Sequence, residues 1–177
     1  VVDSGVDGDH PDLAAVKNNY QWSGNPLGDP TLWVEVGGTD SDEIGHGTHC
    51  SGTIAGDGSH SDGQYAGMAP GATLTVYSSG AGISILKATA AFDHILANHA
   101  NDVQVVSNSY GSASSDDYNP DGSLQTATWK TFDAGLLPVF SAGNSGPDHD
   151  TLNDYAKAPH VLCVAATKDD KTVTDFS

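Results

Sequence analysis

The 177 residues suffice for one domain with a sizeable core, and a hydrophobic content of 37% is ordinary for a globular chain. Acids outnumber bases 23 to 6, giving a formal charge of −17; every base is lysine and 21 of the acids are aspartate. Such a surface repels phosphate backbones and anionic lipids, which argues against nucleic acid or membrane partners, and no apolar run approaches the roughly 18 residues that cross a bilayer. Solubility, adaptation to salty surroundings and calcium binding would each account for the acidity.

Val1-Val2-Asp3 reads as the end of a buried strand, so the chain begins inside a fold, and it stops as abruptly at Asp175-Phe176-Ser177. With no signal peptide at its start, it reads as an internal piece of a longer protein. Asn18 to Gly45, rich in Gly, Pro, Asp and Asn, reads as a long loop anchored by Trp22, Trp33 and Val34. His46 opens a helix that begins Gly47-Thr48-His49-Cys50. A strand over Thr73–Tyr77 precedes a helix from Ile83 to Ala100, where Ile85, Leu86, Phe92, Ile95 and Leu96 recur near helical spacing. Then come a strand over Val103–Ser107, a Ser- and Asp-rich loop from Ser112 to Gly122, and a helix from Ser123 to Ala134. That helix carries Leu124, Ala127 and Phe132, with Gly135 as its stop. Strands over Leu137–Ser141 and Val161–Ala166 complete the pattern. Strands alternating with helices imply parallel pairing with right-handed crossovers, and wholly apolar strands imply a sheet covered on both faces. Cys50 and Cys163, both in apolar surroundings, read as buried free thiols; a bridge from Cys163 to a cysteine outside the chain is the alternative.

Ligands of open parallel sheets gather at the carboxyl ends of strands. Asp3 follows Val1-Val2 at such an end, Asn144 follows Leu137–Ala142 at another, and His46 opens a helix. A carboxylate holds the tautomer of an imidazole and steadies its cation during proton transfer, and an asparagine amide can donate to an oxyanion. Taken singly, these residues are a helix cap, a turn histidine and a turn. Together they form a charge-stabilising acyl-transfer set.

On these residues the chain resembles the subtilisin-like serine proteases, the subtilases. Asp3 in VVDSGVDGDHPDL matches the family's aspartate motif, and His46-Gly47-Thr48-His49 its histidine motif. Asn144 in Ser141-Ala142-Gly143-Asn144 matches the oxyanion asparagine. Tyr65-Ala66-Gly67-Met68-Ala69-Pro70, Ser107-Asn108-Ser109-Tyr110-Gly111 and the final Val173-Thr174-Asp175-Phe176-Ser177 match as well, so the similarity spans the whole chain. The resemblance implies a three-layer α/β fold, a mostly parallel central sheet flanked by helices. It further implies one peptidase domain over residues 1–177, incomplete at both ends. His46 would be general base and acid, Asp3 its orienting partner and Asn144 the oxyanion donor. The family's Gly-Thr-Ser-Met-Ala serine motif does not occur and is expected downstream of Ser177, so the 177 residues alone are expected to be inactive.

The resemblance also implies a peptide or protein substrate, a propeptide in the precursor and secretion. Ser109-Tyr110-Gly111 is similar to the edge where an extended peptide adds as a strand, with glycine permitting close approach and Tyr110 walling a pocket for an apolar side chain. Asp12 matches a position that supplies a calcium ligand in relatives, with Asp57 and Asp62 as partner ligands; a solvated acidic loop is the alternative. Zinc is disfavoured: His46, His49 and His60 lack a His-Glu-x-x-His or Cys-x-x-Cys frame. Two rival readings exist. One is a non-catalytic peptide-binding relative, which would need none of Asp3, His46 and Asn144. The other is a carboxyl-proteinase relative, in which glutamate replaces the histidine.

Overall fold

The computed structural model describes residues 1–24, 32–112 and 117–177, and the chain divides into two compact units, Val1–Ala91 and Phe92–Ser177. Residues 25–31 and 113–116, inside the two long loops expected from the sequence, lie outside the described residues.

In the first unit, β1 (Val2–Asp3), β2 (Val16–Trp22), β3 (Trp33–Glu35) and β4 (Leu74–Ser78) form a sheet in the order β3-β2-β4-β1. β4 runs parallel to β1, with Asp3 opposite Ser78, and parallel to β2, with Tyr20 opposite Tyr77; β3 is antiparallel to β2. Flanked on both sides, β4 buries four of its five residues. Helix α1 (His46–Ala55) contributes Ala55 to a core of Val6, Leu13, Leu74 and Val76.

β2 and β3 correct the expectation of a loop from Asn18 to Gly45. Their pairing is driven by aromatic contacts: Tyr20 stacks on Tyr77 at 5.1 Å, and Trp33 meets Tyr77 and Trp22 edge-on at 5.1 and 5.2 Å. The fully buried position of β2 is Asn19, a polar residue, so the strand shows no apolar alternation. Its carboxamide is satisfied by donating to the carbonyls of Gly37 and Thr39 (3.0 and 2.8 Å) and accepting from Ser41 Oγ (2.7 Å).

Helix α2 (Ile85–Asn98) buries Ala88, Ala91, Phe92 and Ile95, while Ile85 and Leu86 at its start are exposed. In the second unit β5 (Val105–Asn108), β6 (Leu137–Ser141) and β7 (Leu162–Val164) pair in parallel, with helix α3 (Ser123–Asp133) joining β5 to β6. Cys50 is half-buried and Cys163 exposed, which corrects the expectation of two buried thiols. The reason is local: β7 pairs on one side only, and Leu162 and Val164 are exposed with it.

α3 also faces a buried histidine. His160 Nε2 lies 2.9 Å from Thr128 Oγ1, whose hydroxyl donates to the carbonyl of Gln125, so Nε2 must carry the hydrogen. Nδ1 is buried without a partner, and burial holds the ring's pKa below the usual histidine value. The native state therefore binds this proton less tightly than the unfolded chain. Its contribution to stability is complete above the unfolded value of about 6.5 and is lost as pH falls from there through the folded value. Thermal melts between pH 7.5 and 5.5 should show a larger fall in Tm for the wild type than for His160→Gln, which keeps a donor to Thr128 but does not titrate. Equal falls would contradict this reading.

Candidate active site

Asp3 closes β1 with its side chain 3% exposed, and His46 is the first residue of α1. Their elements meet because two glycines let the backbones touch. A Cβ on Gly47 would lie 2.1 Å from the carbonyl oxygen of Gly5, and Gly5 itself has φ +140°. At this distance of approach His46 Nδ1 reaches 2.6 Å from Asp3 Oδ1. The same carboxylate oxygen accepts the backbone N–H of Ser4 at 2.7 Å, and the Asp3 carbonyl accepts from both N–H and Oγ of Ser79 at 2.9 Å. A carboxylate only accepts, so Nδ1 carries the hydrogen and Nε2 is left with its lone pair on a half-exposed ring. The geometry suits a general base: one nitrogen is fixed, the other is open to a reactant.

Cys50 lies one helical turn on, with Sγ 3.8 Å from His46 Nδ1. Among the described residues, Asp3, His46 and Cys50 are the group of three whose ligand atoms all lie within 4.8 Å of one another. His49 and His60 do not join it.

The expected oxyanion donor and the expected substrate edge are in the second unit. Asn144 is exposed in the bend that follows β6, after Gly143. Ser109 and Tyr110 are half-buried and Gly111 is exposed at the exit of β5. The Tyr110 ring packs edge-on against Phe140 at 5.5 Å and Tyr155 at 6.4 Å, and its hydroxyl donates to Asn108 Oδ1 at 3.0 Å. That side chain is thus committed to an aromatic cluster.

Sequence reasoning missed Asn153. It is 1% exposed, and its carboxamide donates to the carbonyls of Tyr110 (3.0 Å) and Ser141 (2.8 Å) while accepting from the N–H groups of Ser112 (3.3 Å) and Tyr155 (3.1 Å). One side chain thus ties the exit of β5 to the exit of β6. Gly111 is glycine for this reason, because a Cβ there would lie 2.2 Å from the Asn153 carboxamide. No motif signals the role; an asparagine beside Asp154 in a loop reads as a turn.

Asp12, Asp57 and Asp62 do not converge. Asp12 Oδ1 accepts the N–H of His60 (2.6 Å) and the hydroxyl of Ser59 (3.1 Å), and Asp57 Oδ1 accepts the N–H of Ser59 (2.8 Å). Those contacts, the Ser59 backbone N–H foremost, hold the Asp57 carboxyl below its usual pKa, while Asp62 is exposed in a left-handed turn. Among the described residues these three carboxylates do not form a group within ligand distance of one another; Asp12 and Asp57 each bond to Ser59 instead.

Two outcomes follow from these contacts. Asn153→Ala should destabilise by about 3 kcal/mol in urea unfolding, since buried carbonyls and N–H groups lose their partner; a loss under about 1 kcal/mol would contradict its role. Asp12→Ala should lower Tm equally in excess calcium and in chelator, and a drop confined to calcium would reveal an ion there.

The Subtilase family model matches residues 1–177. Serine protease AprX of Bacillus subtilis (strain 168) is 32% identical over 151 residues, covering 77% of this chain and 34% of AprX. Minor extracellular protease Vpr of the same organism is 31% identical over 186 aligned positions, covering 95% of this chain and 20% of Vpr. Among solved structures, sphericase superposes with a TM-score of 0.76 at 30% identity, over 100% of this chain and 57% of that one. The chain thus spans little more than half of that structure, 34% of AprX and 20% of Vpr. The match over every residue, together with mostly parallel strands, helices between them and the superposition on sphericase, leads to one conclusion: the chain belongs to the subtilase family and has its subtilisin-like α/β fold.

Proposed function

We propose that this chain is the acid- and base-bearing part of a secreted serine endopeptidase domain, incomplete at both ends, whose nucleophilic serine lies downstream of Ser177. The observation that carries the reading is the 2.6 Å contact of Asp3 Oδ1 with His46 Nδ1, inside motifs that the family model matches. In this mechanism the serine hydroxyl attacks the scissile carbonyl while His46 Nε2 takes its proton. Asp3 fixes the tautomer and steadies the imidazolium, and the Asn144 amide donates to the oxyanion. His46 then gives the proton to the leaving amine, an acyl-enzyme remains, and water releases it by the same steps in reverse.

Substrate is an extended peptide laid along the backbone of Ser109-Tyr110-Gly111, where main-chain pairing holds it irrespective of most side chains. A propeptide would precede Val1 in the precursor. Secretion is supported by relatives such as the extracellular protease Vpr. The mechanism draws on no metal, and any calcium bound near Asp12, Asp57 and Asp62 would act structurally.

The test is made on the full-length protein. It should hydrolyse peptide substrates, be silenced by a serine-directed sulfonyl fluoride, and lose about 10⁴-fold or more in kcat on Asp3→Asn or His46→Ala. The 177 residues alone should cleave nothing. Hydrolysis that survives His46→Ala, or cleavage by the 177 residues alone, would refute the assignment.

A further inference from the structure

Asp42 is four residues ahead of His46, outside every motif considered above, and its carboxylate receives five hydrogen bonds. Oδ1 accepts Ser4 Oγ (2.7 Å), Gly45 N (3.0 Å) and Ile44 N (3.2 Å); Oδ2 accepts both N and Oγ1 of Thr48 (2.7 Å each). Two of these contacts concern the helix that presents His46. The residue at its N-cap is Gly45, in a left-handed conformation with no side chain to cap the first turn. Asp42 supplies that cap from outside the helix, through the N–H of Thr48.

The contact with Ser4 bears on Asp3. The Ser4 hydroxyl has one hydrogen and two carboxylates within reach, Asp42 Oδ1 at 2.7 Å and Asp3 Oδ1 at 3.3 Å. Its oxygen also accepts the N–H of Gly47 at 2.9 Å, which pins it in place. The shorter contact takes the hydrogen. Asp3 Oδ1 is then left with two donors, Ser4 N–H and His46 Nδ1–H, and keeps its full accepting strength for the imidazole.

We infer that Asp42 is a positioning residue for the Asp3–His46 pair: it caps the helix that carries the histidine, and it draws the Ser4 hydroxyl away from the carboxylate that the histidine needs. The inference rests on the catalytic reading of that pair. Partial burial pushes the Asp42 carboxyl upward, but the hydrogen bonds from Thr48, Ser4 and Ile44 outweigh it and hold the pKa below the usual value, so at neutral pH the group is the anion that five donors require. Without Asp42, the Ser4 hydroxyl turns to Asp3 Oδ1 and competes with His46 for the same oxygen.

The experiment uses the full-length protein and reads two quantities: the low-field proton resonance of the Asp3–His46 hydrogen bond, and kcat and KM on a peptide substrate. In Asp42→Ala the resonance should move upfield and kcat should fall about ten- to a hundredfold with KM within about twofold. Adding Ser4→Ala removes the competing hydroxyl, so the double variant should recover the wild-type resonance and part of kcat. A merely structural Asp42 predicts a lower Tm with no recovery in the double variant, and that result overturns the inference. If Asp42→Ala does not fold, Asp42→Asn takes its place; it loses the charge and sets an amide against Thr48, and it should shift the resonance the same way. A wild type with neither the low-field resonance nor hydrolysis refutes the catalytic reading itself. A wild type with both, matched by an unchanged Asp42 variant, refutes only the role of Asp42.

Discussion

A carboxylate 3% exposed, bonded at 2.6 Å to a half-exposed imidazole, imposes demands on everything packed around it. Withdrawing an ionised carboxylate from water costs several kcal/mol unless donors replace the lost solvent (about that order in real proteins). Asp3 receives two donors on Oδ1 and none on Oδ2, which is buried and unpartnered. A negative charge short of donors would gain most from a cationic neighbouring ring, the state that the proposed proton transfer passes through. The same demand explains Gly5 and Gly47: any side chain on Gly47 would hold α1 off the end of β1 and lengthen the bond.

Both units place polar or glycine-rich segments where a parallel strand ends. β1 delivers Asp3 at its carboxyl terminus, β5 leads into Ser109-Tyr110-Gly111, and β6 leads into the bend of Asn144. Backbone groups at such exits have left the ladder and need other partners. In the first unit Ser78 and Ser79 provide them, Ser78 Oγ bonding the carbonyls of Ser4 (2.8 Å) and Ser41 (2.7 Å) and Ser79 that of Asp3. In the second unit the Asn153 side chain provides them for Tyr110, Ser112 and Ser141. In each unit, short polar side chains therefore fix loops that strand pairing no longer holds.

The sequence disclosed the parts whose chemistry is local. His46-Gly47-Thr48-His49 at a helix start, Asp3 at a strand end and the alternation of strand and helix were all readable from residue order. What it hid depends on tertiary pairing. β2 escaped because its buried position is Asn19, whose partners Gly37, Thr39 and Ser41 are 18 to 22 residues away. Asn153 and Asp42 escaped because asparagine and aspartate in loops are ordinary turn residues, and only the fold shows which carbonyls and N–H groups they reach. Ile85 and Leu86 misled in the opposite direction: apolar residues at helical spacing are exposed at the start of α2. Periodicity identifies the helix but not how far its buried stripe extends.

The excess of aspartate over glutamate follows from the same backbone chemistry. An aspartate carboxylate sits close enough to its own chain to accept an N–H two or three residues on, a reach that glutamate overshoots. Asp7 accepts from Asp9 N, Asp40 from Asp42 N, Asp42 from Ile44 N and Gly45 N, Asp57 from Ser59 N and Asp170 from Thr172 N. For Asp170 the Thr172 hydroxyl and then its N–H hold the carboxyl below the usual pKa, as Ser59 does for Asp57. Each lowered value marks a turn that prefers its carboxylate ionised, a preference kept at neutral pH and lost as pH falls through the folded pKa. A charge of −17 is therefore more than a coat for solubility. Part of it is the bonding that closes turns in the loops, and Asp42 is the case where that bonding reaches the helix that carries the histidine.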